Sequence, residues 1–418
     1  MKISKTIFAV PVIAAMLLTG CGGSAGNGQA SGDALNFSTA SGDASNELVV
    51  SIGDEADTEV LNQIVTNFKK DNPDFPYTVK SEIISESDAS NKVLGDINAA
   101  PDIFTFADDQ LNALTASGIL QPITDSSIKS ENLDAADDAA SIDGKLYAYP
   151  MTADNGYFLY YNKKYFKDSD LATMDGILDI ASKNGKKVTM DIGNGWYMYS
   201  FFGNTGMKLT LADDGLTNVC DWNSTDNKIK GIDVAKAMSA IASNSGFEAG
   251  GDDALKAGAA DGSVIAGVSG VWLSTDMKNA WGDDLGAVKL PTYTVDGKQV
   301  QMSSYAGYKM VGVNSFSSKA DWANKLAAYM TNEASQTLRF EKRGQGPSNK
   351  KAAESSEVKA SPAIQALLAQ SEYASLQRVG QKYWDASSSF GSDLTSGAMI
   401  TQKRMDTLVK QITAPVTE

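Results

Sequence analysis

The 418-residue chain contains no histidine. That absence removes the usual general base, the usual imidazole metal ligand and the Ser-His-Asp triad at once. Cysteine is almost as scarce, with only Cys21 and Cys220, so neither a disulfide framework nor a thiolate metal cluster is available. Positive charge is also short: 36 Lys and Arg face 51 Asp and Glu, for a formal net charge of −15. A nucleic-acid binder needs a basic patch to neutralise phosphates, so nucleic acid is excluded as a partner. Only one long apolar run occurs, Ile7 to Leu18, and it falls short of the ~20 residues that an ordinary membrane span requires. Such a composition weighs against an enzyme without excluding one that works with carboxylates alone, and no catalytic residue, metal ligand or cofactor is assigned.

What is present is a soluble, globular mixture, 42% hydrophobic and 21% charged, long enough for two or three domains. Met1 to Lys5 supplies two positive charges ahead of the apolar run, the pattern of a secretory leader. The run ends in Leu18-Thr19-Gly20-Cys21-Gly22, which resembles a bacterial lipobox. That resemblance implies residues 1–20 as a lipoprotein signal peptide and Cys21 as the lipidated, palmitate-bearing N-terminus. An ordinary signal peptide with a chance cysteine is the alternative. Two or more acyl chains anchor a protein stably to a membrane. Residues 21–46 are rich in Gly, Ser, Ala, Asn and Asp and cannot bury enough apolar surface to order themselves. They read as a flexible tether, on the order of 25–30 Å end to end. Cys220 is then unpaired, and without a histidine to activate it we read it as buried and inert.

From Glu47 the pattern becomes regular. Leu48 to Ile52 reads as a buried strand and Thr58 to Asp71 as a helix with Val60, Leu61, Ile64, Val65 and Phe68 on one face. Tyr77 to Ile83 is a second strand, Asn91 to Ala99 a helix, and Ile103 to Ala107 a third strand running into Asp108 and Asp109. This alternation argues for an α/β layer with a largely parallel sheet, in which ligands gather beyond the carboxyl ends of the strands. The Gly53–Asp57 loop, with Asp54 and Glu55, lies at one such end. Further on, Lys187 to Ile192 and Ser263 to Val268 read as strands, Gly193 to Tyr197 as an aromatic turn, and Ile232 to Ser243 as a helix. Val295-Asp296-Gly297-Lys298 is an Asp-Gly hairpin turn.

The stretch Asp143 to Phe166, DGKLYAYPMTADNGYFLYYNKKYF, is the best specified. A strand from Leu146 is expected to stop at Pro150, and a second runs from Tyr157 to Tyr161. The polar link between them, with Asp154 and Asn155, suggests a crossing between two lobes. A carboxylate and an amide there would face a ligand held between the lobes.

Four ordered stretches resemble the maltose-binding-protein family of extracellular sugar-binding proteins. They are PDIFTFADDQLNALTASGIL (101–120), the crossing (143–166), GSVIAGVSGVWLS (262–274) and GPSNK (346–350). The resemblance implies an α/β, two-lobed periplasmic-binding-protein-like fold of type II topology with a ligand cleft between the lobes. Its first lobe would hold 47–153 and 306–346, its second 154–305 and 347–418. It also implies a monomeric, non-enzymatic carrier, lipid-anchored at the extracellular face of the membrane. Such a carrier takes an oligosaccharide, maltose or a maltooligosaccharide, to the permease subunits of an ABC transporter. Xylo-, galacto- or fructo-oligosaccharides stay open, as does a surface glycan-binding lipoprotein without transport.

Residue by residue, the resemblance places Asp109, its neighbour Asp108 and Phe106 at the cleft end of the third strand, and Asp154 with Asn155 at the crossing. Trp272 follows Ser269-Gly270-Val271, where Gly270 is expected to let the chain turn sharply. Trp196 or Tyr197 supplies the aromatic of the second lobe, and Asp54 and Glu55 complete the set. A basic residue expected after Asp109 is replaced by Gln110, and the late cleft aromatic is Trp384 or Phe390. Carboxylates accept bonds from vicinal sugar hydroxyls, and an aromatic face covers the apolar face of a pyranose. The rival reading makes Asp109 and Asp154 the paired carboxylates of a glycosidase.

Overall fold

The computed structural model describes residues 46–415. The leader, Cys21 and almost all of the tether lie outside the described residues. Two five-stranded sheets organise the rest. The first contains β1 (Glu47–Ile52), β2 (Thr78–Ile83), β3 (Ile103–Ala107), β4 (Tyr149–Thr152) and, from much later in the chain, β10 (Lys309–Val313). β1 pairs in parallel with β2 and with β3, while β10 is antiparallel to both β3 and β4. The second contains β5 (Phe158–Asn162), β6 (Lys187–Met190), β7 (Phe247–Ala249), β8 (Val264–Ser269) and β9 (Leu285–Val288). Here β6 runs parallel to β7 and β8, and β5 is antiparallel to β8 and β9. Each sheet thus carries one reversed strand near its edge, and each is wrapped by helices with its own apolar core. The result is a two-lobed α/β fold.

The local reasons are legible. Helix Thr58–Asp71 buries Val60, Leu61, Ile64, Val65 and Phe68, and β8 is buried at every position because helices cover both faces. Asp143 and Gly144 both adopt positive φ, 50° and 74°, and turn a two-residue hairpin pairing Ser141–Ile142 with Lys145–Leu146.

Two expectations are corrected. The expected strand from Leu146 to Pro150 is broken: Leu146 ends the hairpin strand Lys145–Leu146, and a separate strand starts at Tyr149 and runs through Pro150 to Thr152. β4 is the edge of its sheet, where a strand tolerates a missing N–H, and its register with β10 shifts beside Pro150. The aromatic turn at Gly193 to Tyr197 is instead the start of a helix, Gly195–Phe202, capped by Asn194, whose Oδ1 accepts from the Trp196 N–H at 2.8 Å. Between Thr152 and Phe158 the chain passes from the first sheet to the second.

Candidate functional site

The four stretches that stand far apart in sequence meet in space around this passage. Ala153 N–H donates to the Gly346 carbonyl at 2.9 Å, and Thr152 forms a bridge with Pro347. Gly344 lies against Ser274, with room for no side chain: a Cβ there would stand 1.9 Å from Ser274 Oγ. Asp154 is buried and accepts from the Gly346 N–H. Burial pushes its carboxyl up, and Lys309 is the largest force in the other direction. Its carboxylate ties the passage to the GPSNK break. Asn155 is half-buried and fixes the neighbouring backbone, its N–H donating to the Gly307 carbonyl at 3.2 Å.

At the carboxyl end of β3, Asp108 to Gln110 form one helical turn. Asp108 is buried; Oδ1 accepts from Tyr308 N–H at 2.8 Å and Oδ2 stands 2.9 Å from Arg378 Nη1. Asp109 Oδ2 accepts from Gln377 Nε2 at 2.7 Å, while its Oδ1 is buried without a hydrogen-bond partner. Burial first, and the neighbouring Asp108 second, push the Asp109 carboxyl up to about 7. Gln110 turns inward, accepting from Ser90 N–H at 2.7 Å and donating to the Glu86 carbonyl at 2.5 Å. Its amide serves the local fold, which accounts for an uncharged residue there. Phe106 is fully buried in the core of the first sheet, 5.8 Å from the Phe104 ring, and has no face to offer a ligand. Asp54 and Glu55 are exposed; Asp54 caps its own turn through Ala56 N–H at 2.7 Å.

The second lobe contributes two indoles. Trp272 is half-buried, and its Nε1 donates to Asp252 Oδ2 at 2.7 Å, while Asp252 Oδ1 accepts from Ser269 Oγ at 2.7 Å. This pair of bonds fixes the ring. Gly270 is extended rather than sharply turned, and its role is room: a Cβ there would stand 2.0 Å from the Trp272 ring. Trp196, also half-buried, lies 5.6 Å from Trp272 with its ring inclined by 33°. Its Nε1 is buried without a partner. Tyr197 is buried against Tyr157, 4.9 Å away, in the core. Of the two late aromatics, Phe390 is fully buried, whereas Trp384 is half-buried beside Tyr383 and Tyr305.

Lys309, at the start of β10, links the lobes. Its Nζ lies 3.7 Å from Glu86 Oε2 and 5.6 Å from the centre of the Trp272 ring. Burial opposes the charge on Lys309, but Glu86, Asp154 and Asp57 together outweigh it and its pKa rises. Glu86, Lys309, Asp252, Gln377 and Arg378 were not singled out from the sequence. No local pattern sets any of them apart from its polar neighbours, and each acquires its partner only through the fold.

The family profile described as bacterial extracellular solute-binding protein matches residues 63–366, more than half of the chain. The chain belongs to that family. This solute-binding protein is 26% identical over 361 residues to the galactooligosaccharide-binding protein of Bacillus subtilis (strain 168), covering 82% of each chain. Among solved structures, one determined with acarbose superposes with a TM-score of 0.78 at 29% identity, covering 88% of this chain and 98% of the other. The maltodextrin-binding protein MalE1 from L. casei BL23, solved without ligand, gives 0.71 at 25% identity, with 88% and 99% coverage. The Bacillus subtilis and L. casei relatives are binding proteins, not enzymes. No helix among the described residues is long and apolar enough to cross a membrane.

Proposed function

We propose that this solute-binding protein captures an oligosaccharide between its lobes, as a monomer, and delivers it to the permease subunits of an ABC importer. The observation that carries the reading is the pairing of Trp196 with Trp272, 5.6 Å apart, with an unpartnered buried donor, Trp196 Nε1. Asp109 Oδ1 is a buried acceptor that likewise has no partner. Indole faces cover the C–H face of a pyranose, and buried unpaired donors and acceptors gain most from a ligand's hydroxyls. The solved structures with acarbose and of the maltodextrin-binding protein support a glucose-based chain, a maltooligosaccharide. The galactooligosaccharide-binding relative supports a second reading, a galacto-oligosaccharide in the same cleft.

Titration calorimetry against maltotriose, maltotetraose and galacto-, xylo- and fructo-oligosaccharides of matched length tests this. Binding heat with maltotriose is expected. Heat from the galacto series alone replaces the sugar and keeps the function, and silence across the whole panel overturns it. Two permease genes beside this one support import, and an isolated gene supports a surface glycan-binding lipoprotein.

The lipid anchor belongs to the same reading. Leu18-Thr19-Gly20-Cys21 motivates Cys21→Ser, which is expected to release the protein from the membrane fraction without altering its fold. Equal partitioning of wild type and variant into detergent would count against the anchor.

A further inference from the structure

Lys309 and Trp272 come from different sheets, are each fixed on their own side, and meet in space. Lys309 opens β10 of the first sheet, where it pairs with Ala107 of β3 and Thr152 of β4. Its side chain is 12% exposed, as is that of Glu86 beside it. Glu86 is held in place: its carbonyl accepts from Ala107 N–H at 3.2 Å and from Gln110 Nε2 at 2.5 Å. Its carboxylate lies against Gly53, where a Cβ would stand 1.9 Å from Oε2. The first sheet therefore presents an ammonium in a set place. Trp272 follows β8 of the second sheet, and its ring is held through Asp252 by Ser269.

An ammonium carries three N–H donors and no acceptor. Among the described residues Lys309 has one ion-pair partner, Glu86, at 3.7 Å, which is longer than a hydrogen bond. The nearby Asp154 carboxylate is taken up by Gly346 N–H. The Trp272 ring, 5.6 Å from Nζ, supplies further attraction. That attraction strengthens as water leaves, so it is greatest when the lobes are shut. Trp196 lies 5.6 Å from the same ring, so two groups of the protein already occupy the indole.

We propose that Lys309 and Trp272 form a clasp between the lobes, which holds part of the ligand-free population closed. A saccharide then enters only the open fraction, and a pyranose that covers the indole displaces the ammonium. The clasp rests on the reading above, in which an oligosaccharide lies between the lobes against Trp272. Small-angle scattering of the ligand-free, full-length protein decides it. Lys309→Ala removes the ammonium, and the double variant Lys309→Ala with Glu86→Gln also removes the carboxylate left without a partner. Both are expected to show a larger radius of gyration than wild type, with unchanged far-ultraviolet circular dichroism. Lys309→Arg keeps a cation over the ring and is expected to keep the wild-type radius. Mixed with maltotriose and followed by tryptophan fluorescence, both alanine variants are expected to associate roughly tenfold faster, for a wild-type open fraction of about one-tenth. Equal radii for wild type and the double variant overturn the clasp and leave the oligosaccharide reading standing. A single variant that expands while the double one does not also overturns it, because the expansion then comes from unpaired Glu86. A double variant that fails to fold overturns it too, since the contact then serves the fold and not the lobe angle. If no saccharide of the panel binds wild type, the oligosaccharide reading fails, and the radii still decide the clasp.

Discussion

Asp109 keeps a proton that a surface aspartate would lose near pH 4, because burial and Asp108 both oppose its charge. Its folded pKa, about 7, lies above its unfolded value, so the folded state binds the proton more tightly. The stability it contributes is fully present below about pH 4 and is lost as pH rises through about 7, at roughly 1.4 kcal/mol per pH unit between those limits. Asp109→Asn keeps an acceptor for Gln377 and removes the charge. Relative to wild type, the variant is expected to gain stability at pH 8 over pH 5 in urea unfolding; an identical difference at the two pH values would show that Asp109 does not titrate there. Trp272 poses a different question, because its Nε1 is already satisfied by Asp252 and only its ring is left for a ligand. Trp272→Ala is expected to weaken oligosaccharide binding by about 1.5–3 kcal/mol, on the order of ten- to a hundredfold. Paired calorimetry and melting decide it: intact affinity beside a large drop in melting temperature assigns the ring to packing alone.

The helix Glu333–Arg343 shows what an element can hide. Its buried side chains are Ser335, Gln336, Arg339 and Arg343, so no apolar stripe announces it in the sequence. Gln336 accepts from Ser348 and Asn349 N–H at 2.7 and 2.9 Å and donates to the Thr331 and Pro150 carbonyls at 2.7 and 3.2 Å. Arg343 Nε lies 3.1 Å from buried Asp57. Gln336→Met is expected to cost about 2–6 kcal/mol in urea unfolding, since two buried N–H groups lose their acceptor at roughly 1–3 kcal/mol each. A loss under 1 kcal/mol would mean that the Gly344–Asn349 break holds itself. By contrast, helix Thr58–Asp71 was legible to the residue because its apolar spacing is strict. Among site residues the same division holds. Trp272 and Asp109 stand at the ends of apolar strands, where sequence can place them. Gln377 reaches Asp109 across a separation of 268 residues, which no local pattern encodes. Phe106 misled because a strand end does not say which way its ring points; the pleat sends it into the core.

At the scale of the molecule, two lobes joined around a cleft imply an open–closed equilibrium that a ligand shifts toward closure. Small-angle scattering is expected to show a smaller radius of gyration with saturating oligosaccharide, and stability to rise by roughly 2.7 kcal/mol at a hundred times the dissociation constant. An unchanged radius at saturation would rule out closure. The insertion of Lys309–Val313 between Ile103–Ala107 and Tyr149–Thr152 bears instead on how the chain is made. A polypeptide delivered from its N-terminus has synthesised both flanking strands long before the strand that joins them exists. Until then the first sheet presents two unpaired backbone edges, open to any passing strand. Its completion waits on non-local pairing, which is slow. The nascent chain therefore passes through its most aggregation-prone stage with most of its length already made, and chaperone protection matters there more than for a protein whose sheets close in order.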